Sequence, residues 1–221
     1  MKVFLSSAYA DLKDYSHAVS NAIDSVGHEL ISWEQETIKA GESISESINK
    51  NIESADLIVL IIGERYGSVV ENKGISYTEH EYNLAIEKGK PVLVFISKKE
   101  SEEQVNQASI GEFSNKLMTT QLVTFFSSPS ELEAKIIQSI SQYVSVVKSL
   151  QNKKYTWRTI SGVSKEIHLS QEAVTNIVEG LPNVVIRSRV PDKKGRLLYA
   201  TRKHYQESNS SVSRLIDWFA I

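Results

Sequence analysis

Two carboxylates, Glu79 and Glu81, lie where a loop containing Gly74 runs into a predicted helix. Ser76 precedes them as a candidate N-cap, so both acids fall near the start of that helix. Acidic residues at this place complement the helix dipole, which alone would explain them. Because the acids are two residues apart, they cannot share one helix face, and at most one points into a given crevice. We expect His80, between them, to be exposed rather than to bind a ligand.

A carboxylate held beside an electron-poor carbon can stabilise a developing positive charge, or attack the carbon to form a covalent intermediate. Other chemistries have weaker support. No glycine-rich phosphate loop follows the first predicted strand, which argues against a P-loop or a dinucleotide-binding Rossmann domain. No local motif indicates a Ser-His-Asp triad. The chain has no cysteine and only five scattered histidines, so we expect neither disulfides nor a bound metal.

The elements that must position these acids follow from hydrophobic periodicity. Apolar runs predict strands at 3–6, 28–33, 57–62, 92–96 and 122–126, and three- and four-residue spacing predicts helices at 12–26, 44–55, 77–88 and 130–147. Residues 97–111 read as a polar insertion. Strands that alternate with helices imply a flavodoxin-like α/β fold, with about five parallel strands and helices on both faces of the sheet.

Ligands of such sheets bind outside the carboxyl ends of the strands. The loops after Leu5, Trp33, Ile62 and Ile96 should therefore surround the site. We expect the residues of these loops and of the helix start to line one crevice and bind substrate: Ser6, Ser7, Tyr9, Trp33, Gly63, Tyr66, Ser76 and Tyr77.

The C-terminal residues, 151–221, show a different pattern. Helical spacing at 160–167, a turn, and a helix capped by Ser170 are followed by two predicted strands at 184–190 and 196–201. This order is typical of a winged helix-turn-helix domain. We therefore predict two domains, 1–150 and 151–221. An apolar stretch, 213–221, is expected to form a last helix that packs on a domain or on a second subunit.

Charge separates the same two parts of the chain. Residues 151–221 hold 12 Lys/Arg and 6 Asp/Glu, whereas residues 1–150 hold 13 and 21, within a net charge of −2. The basic part is suited to an anionic partner such as DNA or RNA. Its predicted hairpin carries the side chains that we expect to contact phosphates: Arg187, Arg189, Lys193, Lys194 and Arg196. Chance variation of surface charge, or a winged helix that contacts only protein, would also fit.

Two features that the sequence lacks bear on the cellular location of the protein. The chain has no apolar stretch long enough to span a membrane, and its first residues lack the pattern of a signal peptide. We expect a cytoplasmic protein with no membrane partner.

Several motifs of the N-terminal part resemble those of a known family. Val3–Ser7, followed by Tyr9 and Asp11, resembles the opening of TIR-like domains, in particular a bacterial family that begins with "VFISSTYxDL". Ser54-Ala-Asp56 and Gly63-Glu-Arg-Tyr-Gly67 extend the resemblance. The TIR glycohydrolase signature Ser-Trp-Cys-x-x-Glu corresponds to Ser76-Tyr-Thr-Glu-His-Glu81. Ser and Glu keep their spacing, while Tyr and Thr replace Trp and Cys.

The same glutamate also resembles the nucleophile of nucleoside 2-deoxyribosyltransferases. That family has Ala four residues after its Glu and Gly-Lys-Pro at eight to ten residues after it. Here these positions are Ala85 and Gly89-Lys-Pro91, although Asn83 replaces the family's Gly. The two resemblances cover residues 1–147 and select Glu81 over Glu79.

Both families cleave N-glycosidic bonds at a ribosyl carbon, through an oxocarbenium-like transition state. The resemblance implies that Glu81 stabilises or attacks this carbon, and we expect the helix N-terminus to favour its ionised form. Tyr9, Trp33, Tyr66 or Tyr77 could stack on the base.

The implied function is an NAD⁺ or nucleotide N-glycosidase, with NAD⁺ as substrate and no separate cofactor. In bacterial antiphage defence such an effector would be regulated through the winged helix by nucleic acid or a partner protein, and we expect a homo-oligomer. The alternative is a non-catalytic TIR-like module that self-associates and is joined to a nucleic-acid-binding or regulatory winged helix.

Overall fold

The computed structural model of the protein describes residues 1–31, 44–71, 73–99 and 107–208, with side chains left undescribed at residues 9–12, 14 and 107. The chain divides into two compact units, Met1–Ile140 and Ser141–Ile221. The domain boundary predicted at residues 150 and 151 stays a prediction.

The first unit is built on a five-stranded sheet in which every strand pair is parallel. The strands are β1 (Lys2–Ser7), β2 (Glu29–Ile31), β3 (Leu57–Ile62), β4 (Val92–Ser97) and β5 (Val123–Phe126), in the order β2-β1-β3-β4-β5. The predicted α/β fold with a flavodoxin-like sheet is confirmed. The strand order reverses between β1 and β3, which is where sheets of this kind bind ligands.

A helix follows each of these strands: α1 (Tyr9–Ser25), α2 (Ile44–Ser54), α3 (Tyr77–Glu87), α4 (Gln107–Thr120) and α5 (Pro129–Leu150). Apolar residues of α2, α3 and α4 form one buried cluster with alternate strand residues such as Phe4, Ile58 and Ile96. The intervening residues, such as Val3 and Leu5, face the other side of the sheet. They are also buried, and α1 packs against β1 and β2.

The central strand β3 shows why the apolar runs were informative. All six of its residues are buried, because both faces of a central parallel strand are covered. The prediction of a polar insertion is wrong over its last residues, since α4 begins at Gln107. Phe113 and Leu117, one turn apart on α4, are buried in the core and explain why this segment is helical.

The second unit contains α6 (Ile160–Ile167), α7 (Gln171–Glu179), β6 (Val185–Arg187), β7 (Tyr199–Thr201) and α8 (Arg202–Ser208). Ser170 caps α7 as predicted, and β6 pairs with β7 in antiparallel register. The order of helix, turn, helix and hairpin is the one that the sequence predicted. Assignment to the winged-helix class stays a prediction.

Two further sequence predictions concern the C-terminal residues and the membrane. The helix predicted at 213–221, with Trp218 and Phe219, lies outside the described residues. Among the helices that are described, none combines the length and the apolar character needed to cross a bilayer.

Candidate functional site

The start of α3 orients both acids. Ser76 is fully buried, and its hydroxyl accepts a hydrogen bond of 3.1 Å from the Glu79 backbone N–H, so it is the N-cap. The preceding loop is held against this turn, because the Tyr77 N–H donates to the Ser68 carbonyl at 3.0 Å. A cap of this kind satisfies a backbone donor at the helix start and fixes where the helix begins. Glu79 and Glu81 consequently leave α3 in different directions.

Glu79 is bound within the fold. The Tyr66 hydroxyl donates to one of its carboxylate oxygens at 2.8 Å, and the Lys116 ammonium pairs with the other at 3.1 Å. Burial, followed by the hydrogen bond to Glu79, raises the pKa of Tyr66. Glu79 therefore connects the loop after β3 to α4, and its partners account for its presence.

Glu81 has a different environment. It is only 4% exposed, and the Ser6 hydroxyl, from the end of β1, donates to its Oε2 at 2.5 Å. Burial raises the pKa of Glu81 to about 8, and the Ser6 hydrogen bond opposes this rise. The expectation that the helix N-terminus would keep this acid ionised is wrong. The helix dipole acts most strongly within the first turn of a helix, and Glu81 lies beyond the first turn of α3. Desolvation therefore dominates the pKa of Glu81.

A cavity of about 230 Å³ opens beside Glu81. Its lining is mostly apolar with a few hydroxyls, as is common for small-molecule sites. The lining residues come from the end of β1, from α2, from the loop after β3 and from α3: Ser7, Ala8, Ile44, Ser47, Ile48, Gly67, Ser68, Tyr77, Thr78 and Glu81. The volume is below the roughly 300–1,000 Å³ of pockets for drug-sized ligands, so it suits a small molecule or one part of a larger one.

The predicted site residues divide into three groups. Ser7, Tyr77 and Glu81 line the cavity, and Ser6 donates a hydrogen bond to Glu81. Within the described residues, Gly63, Tyr66 and Ser76 are not part of the lining. Gly63 is buried after β3, Tyr66 binds Glu79, and Ser76 caps α3. Trp33 and the side chain of Tyr9 lie outside the described residues, so their roles stay predictions.

Sequence reasoning missed the contribution of α2, and in the loop after β3 it named Gly63 and Tyr66 where Gly67 and Ser68 line the cavity. Ser47 is buried beside the apolar residues of α2. A polar residue next to such an apolar face was the sequence signal that could have identified Ser47 as part of the site. Gly67 has a φ of +82°, and a Cβ there would lie 3.1 Å from the Ala8 Cβ. The loop thus needs glycine both for its conformation and for its close approach to β1.

The Gly89-Lys-Pro91 motif has a structural explanation away from the cavity. The Lys90 ammonium donates to the carbonyl oxygens of Glu53 and Ala55 at 2.7 and 2.8 Å, which satisfies the end of α2. Gly89 ends α3 with a φ of +69°. The motif precedes β4, at the sheet edge opposite the cavity.

The basic hairpin of the second unit has exposed side chains, one of which forms an ion pair within the turn. Asp192 accepts hydrogen bonds from the Lys194 and Arg196 backbones and pairs with the Arg196 guanidinium at 2.6 Å. The Arg196 hydrogen bond is the main cause that lowers the pKa of Asp192 to about 2. Arg196 therefore closes the turn. The other four residues predicted to contact phosphates have exposed side chains: Arg187, Arg189, Lys193 and Lys194.

Comparisons with known proteins add the family. The family model described as "Domain of unknown function (DUF4062)" matches residues 2–141. Among solved structures, the chain is similar to the Clostridium botulinum CMP N-glycosidase BcmB, at 16% identity and a TM-score of 0.38, over 62% of this chain and 98% of that one. No curated protein matches the chain.

Proposed function

The chain belongs to the DUF4062 family, and on that premise we propose that its first unit is an N-glycosidase that acts on NAD⁺ or a related nucleotide. Glu81 is the acting carboxyl in this proposal. The single observation that carries it is the state of Glu81. It is a buried acid that, among the described residues, accepts a hydrogen bond from Ser6, and it borders a cavity where the strand order reverses.

Burial of an ionisable group is costly unless the group is paired. Residues whose pKa is strongly shifted by desolvation, and which lie in a cleft, are therefore candidates for catalysis. Glu81 satisfies both conditions. Glu79 instead has Tyr66 and Lys116 as partners and is not among the described residues that line the cavity.

The reaction would break the bond between a base and the ribosyl C1′, and water would supply the new hydroxyl. Positive charge develops on the sugar as the base departs. Glu81 as a carboxylate would stabilise this charge or bond to the carbon before water replaces it. Nicotinamide leaves NAD⁺ as a neutral molecule, so this base needs no proton.

The raised pKa of Glu81 affects which substrate suits the site. A cationic base within about 4–6 Å favours the carboxylate form, so NAD⁺ binding would release the proton of Glu81. A neutral base instead requires a proton as it leaves, and the protonated carboxyl could donate it. Cleavage of NAD⁺ should therefore increase as pH rises towards about 8, whereas cleavage of a neutral base should decrease.

The test uses the full chain, incubated with NAD⁺ or with a nucleoside monophosphate that has a neutral base, while release of the base is measured. Glu81→Gln keeps the shape and removes the charge. It should reduce turnover by roughly a hundredfold or more, the usual effect of losing a preorganised electrostatic group. Glu87→Gln, an exposed residue of the same helix, is the matched control and should leave turnover unchanged.

Glu79→Gln serves as a control for the motif register. If this variant is inactive while Glu81→Gln is active, the motif alignment is wrong by two residues. If the parent chain cleaves nothing, even with duplex DNA present, the non-catalytic self-association module replaces this proposal. Melting curves of all variants separate a folding defect from a catalytic one.

The proposal gives the second unit a regulatory role in an antiphage effector. Its exposed basic hairpin would bind nucleic acid or an acidic partner protein, and binding would control cleavage by a homo-oligomer. The support is the charge difference between the two parts of the chain and the exposure of Lys193 and Lys194. A rise in turnover on addition of duplex DNA is the expected result.

A further inference from the structure

Ser6 and Ser7 are consecutive residues at the end of β1, and their hydroxyls have different surroundings. Ser6 is fully buried, and its hydroxyl donates to Glu81 Oε2 at 2.5 Å. Ser7 is 7% exposed and lines the cavity, and its hydroxyl has no hydrogen-bond partner among the described residues. A buried hydroxyl without a partner is destabilising, so the partner of Ser7 is expected to be a ligand or water.

We propose that the two serines divide the work on a ribosyl group: Ser7 binds a sugar hydroxyl in the cavity, and Ser6 is a positioning residue that holds one oxygen of Glu81 so that the other is available to the sugar carbon. This inference rests on the proposed function, because it takes the ligand to be a ribosyl compound. It distinguishes two residues that the sequence could only group as neighbours of one crevice.

The size and lining of the cavity favour a sugar as the occupant. A volume of about 230 Å³ suits a ring with its hydroxyls better than a whole dinucleotide. Ser47, Ser68 and Thr78 line the cavity with Ser7, and hydroxyl side chains both donate and accept hydrogen bonds, as a sugar requires. None of the described lining residues is a lysine or an arginine, so phosphates would lie outside this part of the site.

Two causes shift the pKa of Glu81: its burial raises the pKa, and the hydrogen bond from Ser6 lowers it. The charged groups on the neighbouring helices are exposed or paired elsewhere: Glu46, Lys50 and Glu53 on α2, and Glu79 and His80 on α3. Strands β3 and β4, which α3 also contacts, carry no charged residue. Removing the Ser6 hydroxyl should therefore change Glu81 without changing any other charge near it.

The first experiment tests Ser6. The full chain is labelled with ¹³C at glutamate carboxyls, and the Glu81 signal, assigned by its loss in Glu81→Gln, is titrated by NMR. Ser6→Ala should raise the pKa of Glu81, because the lost hydrogen bond lowers it. It should also decrease kcat by about tenfold with little change in KM, as expected for a group that positions a catalytic one. An unchanged pKa or an unchanged kcat would overturn the positioning role.

The second experiment tests Ser7 by calorimetric titration of NAD⁺ into the Glu81→Gln chain, where cleavage does not interfere. Adding Ser7→Ala should weaken binding by about 3- to 10-fold, the value of one neutral hydrogen bond. In the parent background, Ser7→Ala should raise KM and leave the pKa of Glu81 unchanged. Ser145→Ala, which removes a hydroxyl bound within α5, is the control and should change none of these values.

The outcomes separate this inference from the proposed function. Equal NAD⁺ binding with and without the Ser7 hydroxyl, or no NAD⁺ binding at all, would overturn the sugar-binding role. A chain that binds NAD⁺ through Ser7 and yet releases no nicotinamide would overturn the glycosidase and leave the binding role in place.

Discussion

The first unit of this protein buries Glu81 and the second buries Arg158, and the two residues are satisfied in opposite ways. Arg158, 8% exposed in the second unit, donates to the Ser149 and Gly162 carbonyls at 3.1 Å and forms an ion pair with Glu166. Glu81, 4% exposed in the first unit, has the Ser6 hydroxyl as its partner and a cavity beside it.

The difference teaches how to separate a structural charge from a candidate for chemistry. The partners of Arg158 come from the end of α5 and from α6, so the residue has a complete explanation in the fold. Glu81 has no ion-pair partner among the described residues, and its burial shifts its protonation instead. The two residues should therefore respond differently to substitution and to pH.

The largest expected effect is on the stability of the second unit. Arg158→Met keeps an apolar stem of similar length but removes the guanidinium donors to the Ser149 and Gly162 carbonyls. Because the hydrogen bonds of a buried charged group are lost, we expect a loss of about 3 kcal/mol in the free energy of unfolding. Urea unfolding followed by tryptophan fluorescence measures it. The exposed Arg187→Met is the control, and an equal effect of both changes would refute the structural role of Arg158.

The next effect is the pH dependence of the first unit. The folded-state pKa of Glu81, about 8, lies above its ordinary value of 4.5, so the folded protein holds this proton more tightly. The stability that results is complete below pH 4.5 and is lost as pH rises to about 8. Within that window the loss is about 1.4 kcal/mol per pH unit.

Glu81→Gln cannot ionise and should lack this dependence. The difference in free energy of unfolding between this variant and the parent should shift by about 2 kcal/mol in favour of the variant between pH 6 and pH 7.5. Denaturant unfolding of both chains at the two pH values measures the difference, with Glu87→Gln as the control that should follow the parent. Parallel behaviour of Glu81→Gln and the parent would mean that Glu81 ionises normally.

A smaller effect extends the comparison of paired and unpaired charges to the basic hairpin. If Lys193 and Lys194 contact phosphates, their replacement by alanine should flatten the log-log dependence of duplex DNA affinity on salt by about one unit per residue, equally for all sequences. Fluorescence anisotropy over a range of salt concentrations measures this slope. Lys154→Ala, outside the hairpin, is the control. Binding that ignores both salt and these substitutions would indicate a protein-contact surface.

The smallest effect is expected at Glu79, the paired neighbour of Glu81. Its partner Lys116 is 42% exposed, so solvent screens much of the interaction. Glu79→Gln should cost about 0.5–1 kcal/mol in the free energy of unfolding and leave turnover unchanged. A loss of turnover without a loss of stability would place Glu79 in the chemistry and contradict the comparison.

Much of the fold could be predicted from the sequence, because the signals are local. The six apolar residues 57–62 predict a doubly covered strand, and alternation of strands with helices predicts a parallel sheet. Ser76 and Ser170 were recognisable as helix caps. The helix α4 was missed, since its polar first residues hide the spacing of Phe113 and Leu117.

The candidate site was predictable only in part. Ser7, Tyr77 and Glu81 were assigned to one crevice from the rule for strand ends, and all three line the cavity. Tyr66 and Ser76 were assigned to it as well, although one binds Glu79 and the other caps α3. Position along the chain indicates which edge of a sheet a residue reaches, but not which neighbour its side chain meets.

The sequence by itself determined the alternation of elements, the caps and the candidate acids, because periodicity and capping act between residues a few positions apart. Only the tertiary structure decided that Glu79 is paired with Lys116 while Glu81 is buried against Ser6, 75 positions away. That contact depends on how α3 lies across β1, and the resulting loss of water sets the pKa of Glu81. Desolvation is a property of the packed environment, so no local pattern encodes it.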